Sequence, residues 1–201
     1  MHRRLLLMAA VSLLLVAGIC PNRTPPDPQW EPGQFEPIGG KDFDLTSDLT
    51  VRSIVGGNDE IENPAAEYPL KLLVFNETDS RVDTQLPEGL IFRPTNDPEL
   101  EYDYCVLVKP YNLTVPPSQD TTVFLPTYNC DEDKFEADDE EIYYESDIQL
   151  WEKGFTDIFE ILADKALATL DDFDVVQEAI YEYTYTQNLS DSLIQVLEAL
   201  P

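Results

Sequence analysis

Leu70-Lys71-Leu72-Leu73-Val74-Phe75-Asn76 is followed by Val82-Asp83-Thr84-Gln85-Leu86 and then, through Pro87-Glu88-Gly89, by Leu90-Ile91-Phe92. The first run is short, apolar and closed by an asparagine. The second alternates polar and apolar residues, as a half-buried strand does. Proline and glycine between the second and third runs mark a turn rather than a helix. Upstream, Leu49-Thr50-Val51 and Ile54-Val55 lead into Gly56-Gly57-Asn58-Asp59, another turn. Downstream, Tyr102 to Val108 is rich in aromatic and β-branched residues, Leu113 to Val115 meets Pro116-Pro117-Ser118, and Thr121 to Leu125 follows. Short strands with such punctuation predict a mainly β chain, an antiparallel Ig-like β-sandwich over residues 41–150. The prolines suit strand ends and edges, because proline gives no N–H to a ladder.

Residues 127–149 read as an acidic, loop-rich connector. From Trp151 the apolar period becomes helical: Trp151, Phe155, Ile158, Phe159, Leu162 and Ala166 share one face. Asp171 or Asp172 can cap a second helix, with Val175, Val176, Ala179, Ile180 and Tyr183 as its stripe. Ser190 or Asp191 can cap a third, with Leu193, Val196, Leu197 and Leu200. Residues 151–201 are therefore expected to form two to three helices packed on the sandwich.

The amino terminus has another purpose. Arg3 and Arg4 precede an apolar run from Leu5 to Ile19 that carries only small or weakly polar interruptions. A basic start, a short apolar run and small residues at its end have the pattern of a secretory signal, here residues 1–20. The run is shorter than the roughly 20 apolar residues a bilayer span needs. Residues 21–40 hold six prolines and three glycines and read as an extended tether. Cys20 closes the apolar run and is a candidate lipidation site, as in bacterial lipoproteins; ordinary cleavage before it is the other reading. The expected location is outside the cytoplasm, extracellular or at the cell surface, with the membrane reached only through such an anchor.

Forty acids stand against twelve bases, and two of the bases leave with the signal, so the exported chain carries a net charge of −30. Nucleic acids need Lys and Arg patches, so they are excluded as partners. The acids are spread along the whole chain and lysine is scarce, which predicts a salt-adapted surface and a halophilic source; at 1 M salt the Debye length is about 3 Å. Binding of cations and binding of a basic surface partner are the competing readings. The single histidine is His2, inside the signal, so no histidine base or ligand remains. No phosphate-cradling glycine loop is present.

Leu86-Pro87-Glu88-Gly89-Leu90-Ile91-Phe92-Arg93-Pro94, the strand pair Leu113-Thr114-Val115-Pro116-Pro117 and Thr122-Val123-Phe124-Leu125-Pro126, then Tyr128 and Cys130, and finally Val176-Gln177-Glu178-Ala179-Ile180-Tyr181 resemble segments of a family of exported bacterial β-sandwich domains. Their helical tail carries a similar Val-Gln-x-Ala-Ile-Trp motif. It is distantly similar to the thioester domains of surface adhesins, and that resemblance implies a Cys130–Gln177 internal thioester, an activated acyl group awaiting an amine.

Outside the cytoplasm Cys105 and Cys130 most simply form a disulfide. It would close a loop of about 25 residues and contribute roughly 3 kcal/mol. For a hard cation such as Ca2+, Asp131, Asp133, Asp138, Asp139 and Glu140 are the candidate ligands, although Phe135 breaks the spacing of a hand-type loop. No other cofactor is expected. Asn76-Glu77-Thr78, Asn112-Leu113-Thr114 and Asn188-Leu189-Ser190 are glycosylation sequons. The expected function is that of a non-enzymatic exported or cell-envelope protein, a binding or structural module. A thioester adhesin and a calcium-stabilised binding module are the alternatives.

Overall fold

The computed structural model describes Phe35 and residues 41–56, 70–94, 103–134, 142–150 and 155–201. The signal, Cys20, the Gly57-Asn58-Asp59 part of the early turn, Trp151 and the candidate ligands Asp138, Asp139 and Glu140 lie outside the described residues.

Ten strands precede three helices: β1 (Lys41–Asp42), β2 (Leu49–Val55), β3 (Leu70–Asn76), β4 (Val82–Leu86), β5 (Leu90–Pro94), β6 (Cys105–Leu107), β7 (Tyr111–Val115), β8 (Asp120–Leu125), β9 (Thr127–Asn129), β10 (Ile142–Leu150), α1 (Thr156–Leu162), α2 (Leu170–Thr186) and α3 (Asp191–Glu198). The chain is mainly β, its paired strands are antiparallel, and the helices are C-terminal, as the sequence pattern predicts. Eight strands form one sheet in the order β8-β3-β2-β10-β5-β6-β9, with β1 on β10; β4 and β7 pair as a separate two-stranded sheet.

The alternation of side chains along β5 and β6 explains the layering. Leu90, Phe92, Cys105 and Leu107 enter one core with Leu70, Leu72, Val74, Leu113 and Val115. Ile91 and Val106, one residue out of phase, enter a second core with Tyr128, Phe173, Val176, Ile180 and Leu197. A strand buried on both faces reads as a continuous apolar run, which is how Leu90-Ile91-Phe92 and Cys105-Val106-Leu107 are written. The first core lies between the large sheet and the β4–β7 pair, the second between that sheet and the helices.

Two expectations are corrected. Residues 127–149 are not simply a connector: β9 and β10 lie within them, and β10 pairs with β2 and β5 in the interior of the sheet. Its acids mislead, because strand pairing satisfies backbone groups whatever the side chains are. Residues 21–40 are not wholly a tether. Phe35 is buried, edge-on to Tyr104 at 5.7 Å and tilted against Phe155 at 5.8 Å.

The helices also differ in detail. The first ends at Leu162, short of Ala166, whose N–H donates instead to the Pro201 carbonyl at 2.7 Å. Lys109 Nζ donates to the Leu162 and Lys165 carbonyls, and Lys165 Nζ to those of Glu198 and Leu200. Two of the scarce lysines thus satisfy the carbonyl ends of α1 and α3, where positive charge is favoured. Phe155, at the start of α1, holds φ 50°, ψ 19°. This left-handed conformation is costly for a bulky residue, and its buried ring fixes it against Phe35, Phe159 and Tyr183. The cap of α2 is Thr169 rather than Asp171 or Asp172. Its hydroxyl accepts from Asp172 N–H, while the Asp172 carboxylate accepts from the N–H of Ala168 and Thr169, closing a capping box. Ser190 caps α3 as expected.

Candidate functional site

The helix-facing end of β9 brings together Cys130, Asp131 and Gln177, three of the residues singled out in the sequence. β9 is an edge of the large sheet, so one side of its backbone lacks a strand partner. Cys105 faces Asn129 across the ladder, while Cys130 N–H donates to Tyr104 C=O. The backbone of Asn129 therefore points outward. Gln177 of α2 meets it: Asn129 N–H donates to Gln177 Oε1 at 3.0 Å, and Gln177 Nε2 donates to Asn129 C=O at 2.8 Å. One buried carboxamide thus takes the place of a further strand. Tyr128, beside it, stacks on Phe173 with centroids 4.5 Å apart.

The structure brings Cys130 and Gln177 to one place. Gln177 binds the residue immediately before Cys130, and both are buried. Burial, and next the charge of Asp103, push the Cys130 thiol well above its ordinary range, so it is a thiol rather than a thiolate at neutral pH.

No disulfide joins Cys105 to Cys130. The reason is register: Cys105 belongs to the core between the sheet and the β4–β7 pair, Cys130 to the core under the helices. Cys105 Sγ lies 3.6 Å from Asn129 Oδ1 instead.

Asp103 and Asp131 meet beside Cys130. The Asp103 carboxylate accepts Asp131 N–H at 2.6 Å. Burial pushes the Asp103 carboxyl well above the usual carboxylate range, and the charge of Asp131 adds to this. Asp131 Oδ1 accepts from Asp133 N–H at 3.1 Å, while Asp131 Oδ2 is buried and has no hydrogen-bond partner among the described residues. Of the calcium candidates, Asp131 is buried and Asp133 exposed. No three acids, cysteines or histidines among the described residues gather closely enough to hold a metal.

Sequence reading missed the outer side of α2. Asp174, Glu178 and Glu182 recur every fourth residue, and so do Gln177, Tyr181 and Tyr185. With Glu132 and Thr186 they line an open groove of about 510 Å3. A smaller recess of about 50 Å3, lined by Phe35, Cys130, Asp131, Glu132, Asp133, Tyr181, Thr184 and Tyr185, shares Glu132 and the two tyrosines with it. The i, i+4 spacing is the groove's signal in the sequence, masked by the stronger apolar stripe on the opposite side of the helix. Glu182 is partly committed, accepting from Ser190 N–H and Oγ at the start of α3.

Among the sequons, Asn76 is fully buried. Its Nδ2 donates to the carbonyls of Ser80, Val115 and Pro116, and its Oδ1 accepts from Thr78, so its amide is a structural brace and not a glycan site. Asn112 and Asn188 are exposed. No helix among the described residues is long and apolar enough to cross a membrane. No protein-family model matches the chain, and neither a curated protein nor a solved structure matches it.

Proposed function

We propose that this protein is a non-enzymatic exported module of the cell envelope that binds a basic surface partner. The observation that carries the reading is the groove on α2, where Glu132, Asp174 and Glu178 stand beside Tyr181 and Tyr185. Exposed carboxylates attract cationic groups, and tyrosine faces accept their aliphatic stems and charge. The signal-like amino terminus supports export. Two assays test this: fractionation of cells expressing the full chain, and retention of the protein on an immobilised basic peptide at rising salt. Recovery in the envelope or medium and salt-sensitive retention are expected. A cytoplasmic protein with its amino terminus intact, or no retention at low salt, overturns the proposal.

A second reading rests on the placement of Gln177 next to Cys130. In a thioester adhesin the Cys130 Sγ attacks Gln177 Cδ, the C–N bond breaks, the thiol proton passes to the leaving nitrogen, and ammonia departs. The protonated thiol and the two hydrogen bonds of the intact carboxamide to Asn129 weigh against it. Intact mass decides: a thioester lowers the mass by one ammonia and gains methylamine on treatment.

A further inference from the structure

We infer that the recess beside Cys130 is a pocket for a primary ammonium group, the tip of a lysine side chain from the basic partner; this rests on the binding reading above. Acidity alone would not place a ligand. The independent observation is Asp131: the residue is 5% exposed, it lines the recess, and its Oδ2 meets no donor among the described residues. A buried carboxylate oxygen without a donor is costly, and a ligand that donates to it recovers that cost.

Size and shape favour ammonium. The recess, at about 50 Å3, is about a tenth of the groove that opens beside it, so it takes the tip of a side chain rather than a whole ligand. Guanidinium is broad and planar and wants two acceptors in a plane, whereas ammonium is a compact point charge. A divalent metal wants several oxygens at once, and the described acids do not converge in that way. Glu132, Tyr181 and Tyr185 line both recess and groove, so a side chain entering from the groove runs along the two tyrosines with its tip at Asp131.

The test measures fluorescence anisotropy of labelled Gly/Ser peptides bearing three lysines, three trimethyl-lysines, three acetyl-lysines or three arginines against the full chain. Trimethyl-lysine keeps the charge but is bulkier and cannot donate. Lysine is expected to bind about tenfold more tightly than trimethyl-lysine, the worth of one charge-assisted hydrogen bond. Acetyl-lysine is expected not to bind. Asp131→Asn should abolish the preference, while Glu178→Gln, at an exposed groove position, should weaken all cationic peptides alike. Equal binding of lysine and trimethyl-lysine by the unmodified chain sinks the pocket but leaves the groove standing. Absence of all binding sinks both. Calcium raising the melting temperature in an Asp131-dependent way, without a lysine preference, makes the recess a metal pocket and overturns the proposal. Should Asp131→Asn fail to fold, the lysine to trimethyl-lysine ratio of the unmodified chain decides alone.

Discussion

Replacing Gln177 by alanine tests how the sheet edge is closed. The carboxamide satisfies both backbone groups of Asn129, at 3.0 and 2.8 Å. Stranding a buried donor or acceptor costs about 1–3 kcal/mol each, so two give an upper range of about 2–6 kcal/mol. Gln177 also lines the open groove, however, so water can reach the vacated place and recover part of the loss. The expected cost is therefore at the lower end, about 2 kcal/mol. For a chain of this size each kcal/mol shifts the melting temperature by about 2–4 °C, so a fall of about 4–8 °C should follow. Urea unfolding followed by tryptophan fluorescence gives the free energy, and a thermal scan gives the midpoint. Gln177→Glu sharpens the test. It keeps an acceptor for Asn129 N–H but sets a carboxylate against Asn129 C=O, so it should be worse than wild type at neutral pH and recover as acid protonates it. An alanine variant within about 0.5 kcal/mol of wild type, the ordinary range for surface substitutions, would refute the edge-closing role.

Other expectations follow from neighbouring features. A non-reducing digest should contain no peptide linking Cys105 to Cys130; finding one would contradict their assignment to opposite faces of the sheet. Asp103, facing Asp131, Cys130 and Lys134, has its carboxyl raised chiefly by burial. Its stabilising contribution is full below the unfolded carboxylate value of about 3.9 and is lost as pH rises through the folded one. Asp103→Asn should accordingly raise the unfolding midpoint at pH 8 and lose that advantage near pH 3, and an unchanged pH profile would count against this. Thr169→Ala removes the hydroxyl of the capping box and should cost about 0.5–2 kcal/mol in chemical denaturation.

The strands from Leu49 to Leu125 were legible because each is short, apolar or alternating, and bounded by residues that cannot continue a ladder. The helical tail was legible from the recurrence of Phe155, Ile158, Phe159 and Leu162, and of Val176, Ala179, Ile180 and Tyr183. What the pattern could not give was pairing. β10 carries acids in its sequence and reads as solvent-seeking, yet β2 and β5 recruit it to the sheet. Thr169 is hard to read as a cap because two aspartates, themselves good cap residues, follow it, and only the geometry shows that Asp172 is its reciprocal partner. At the site, Cys130 and Gln177 came from a resemblance that implied their closeness. Asp103 came from nothing local, because an isolated aspartate carries no mark of what packs beside it, whereas the ridges along α2 are written in an i, i+4 spacing that the apolar stripe obscures.

Phe35 has a mechanical consequence. Its ring sits against Tyr104, which precedes the sheet strand β6, and against Phe155, which opens the helical tail. A load that reaches Phe35 along the backbone therefore bears on the seam between the sheet and the helices, a contact of aromatic rings rather than of ladder hydrogen bonds.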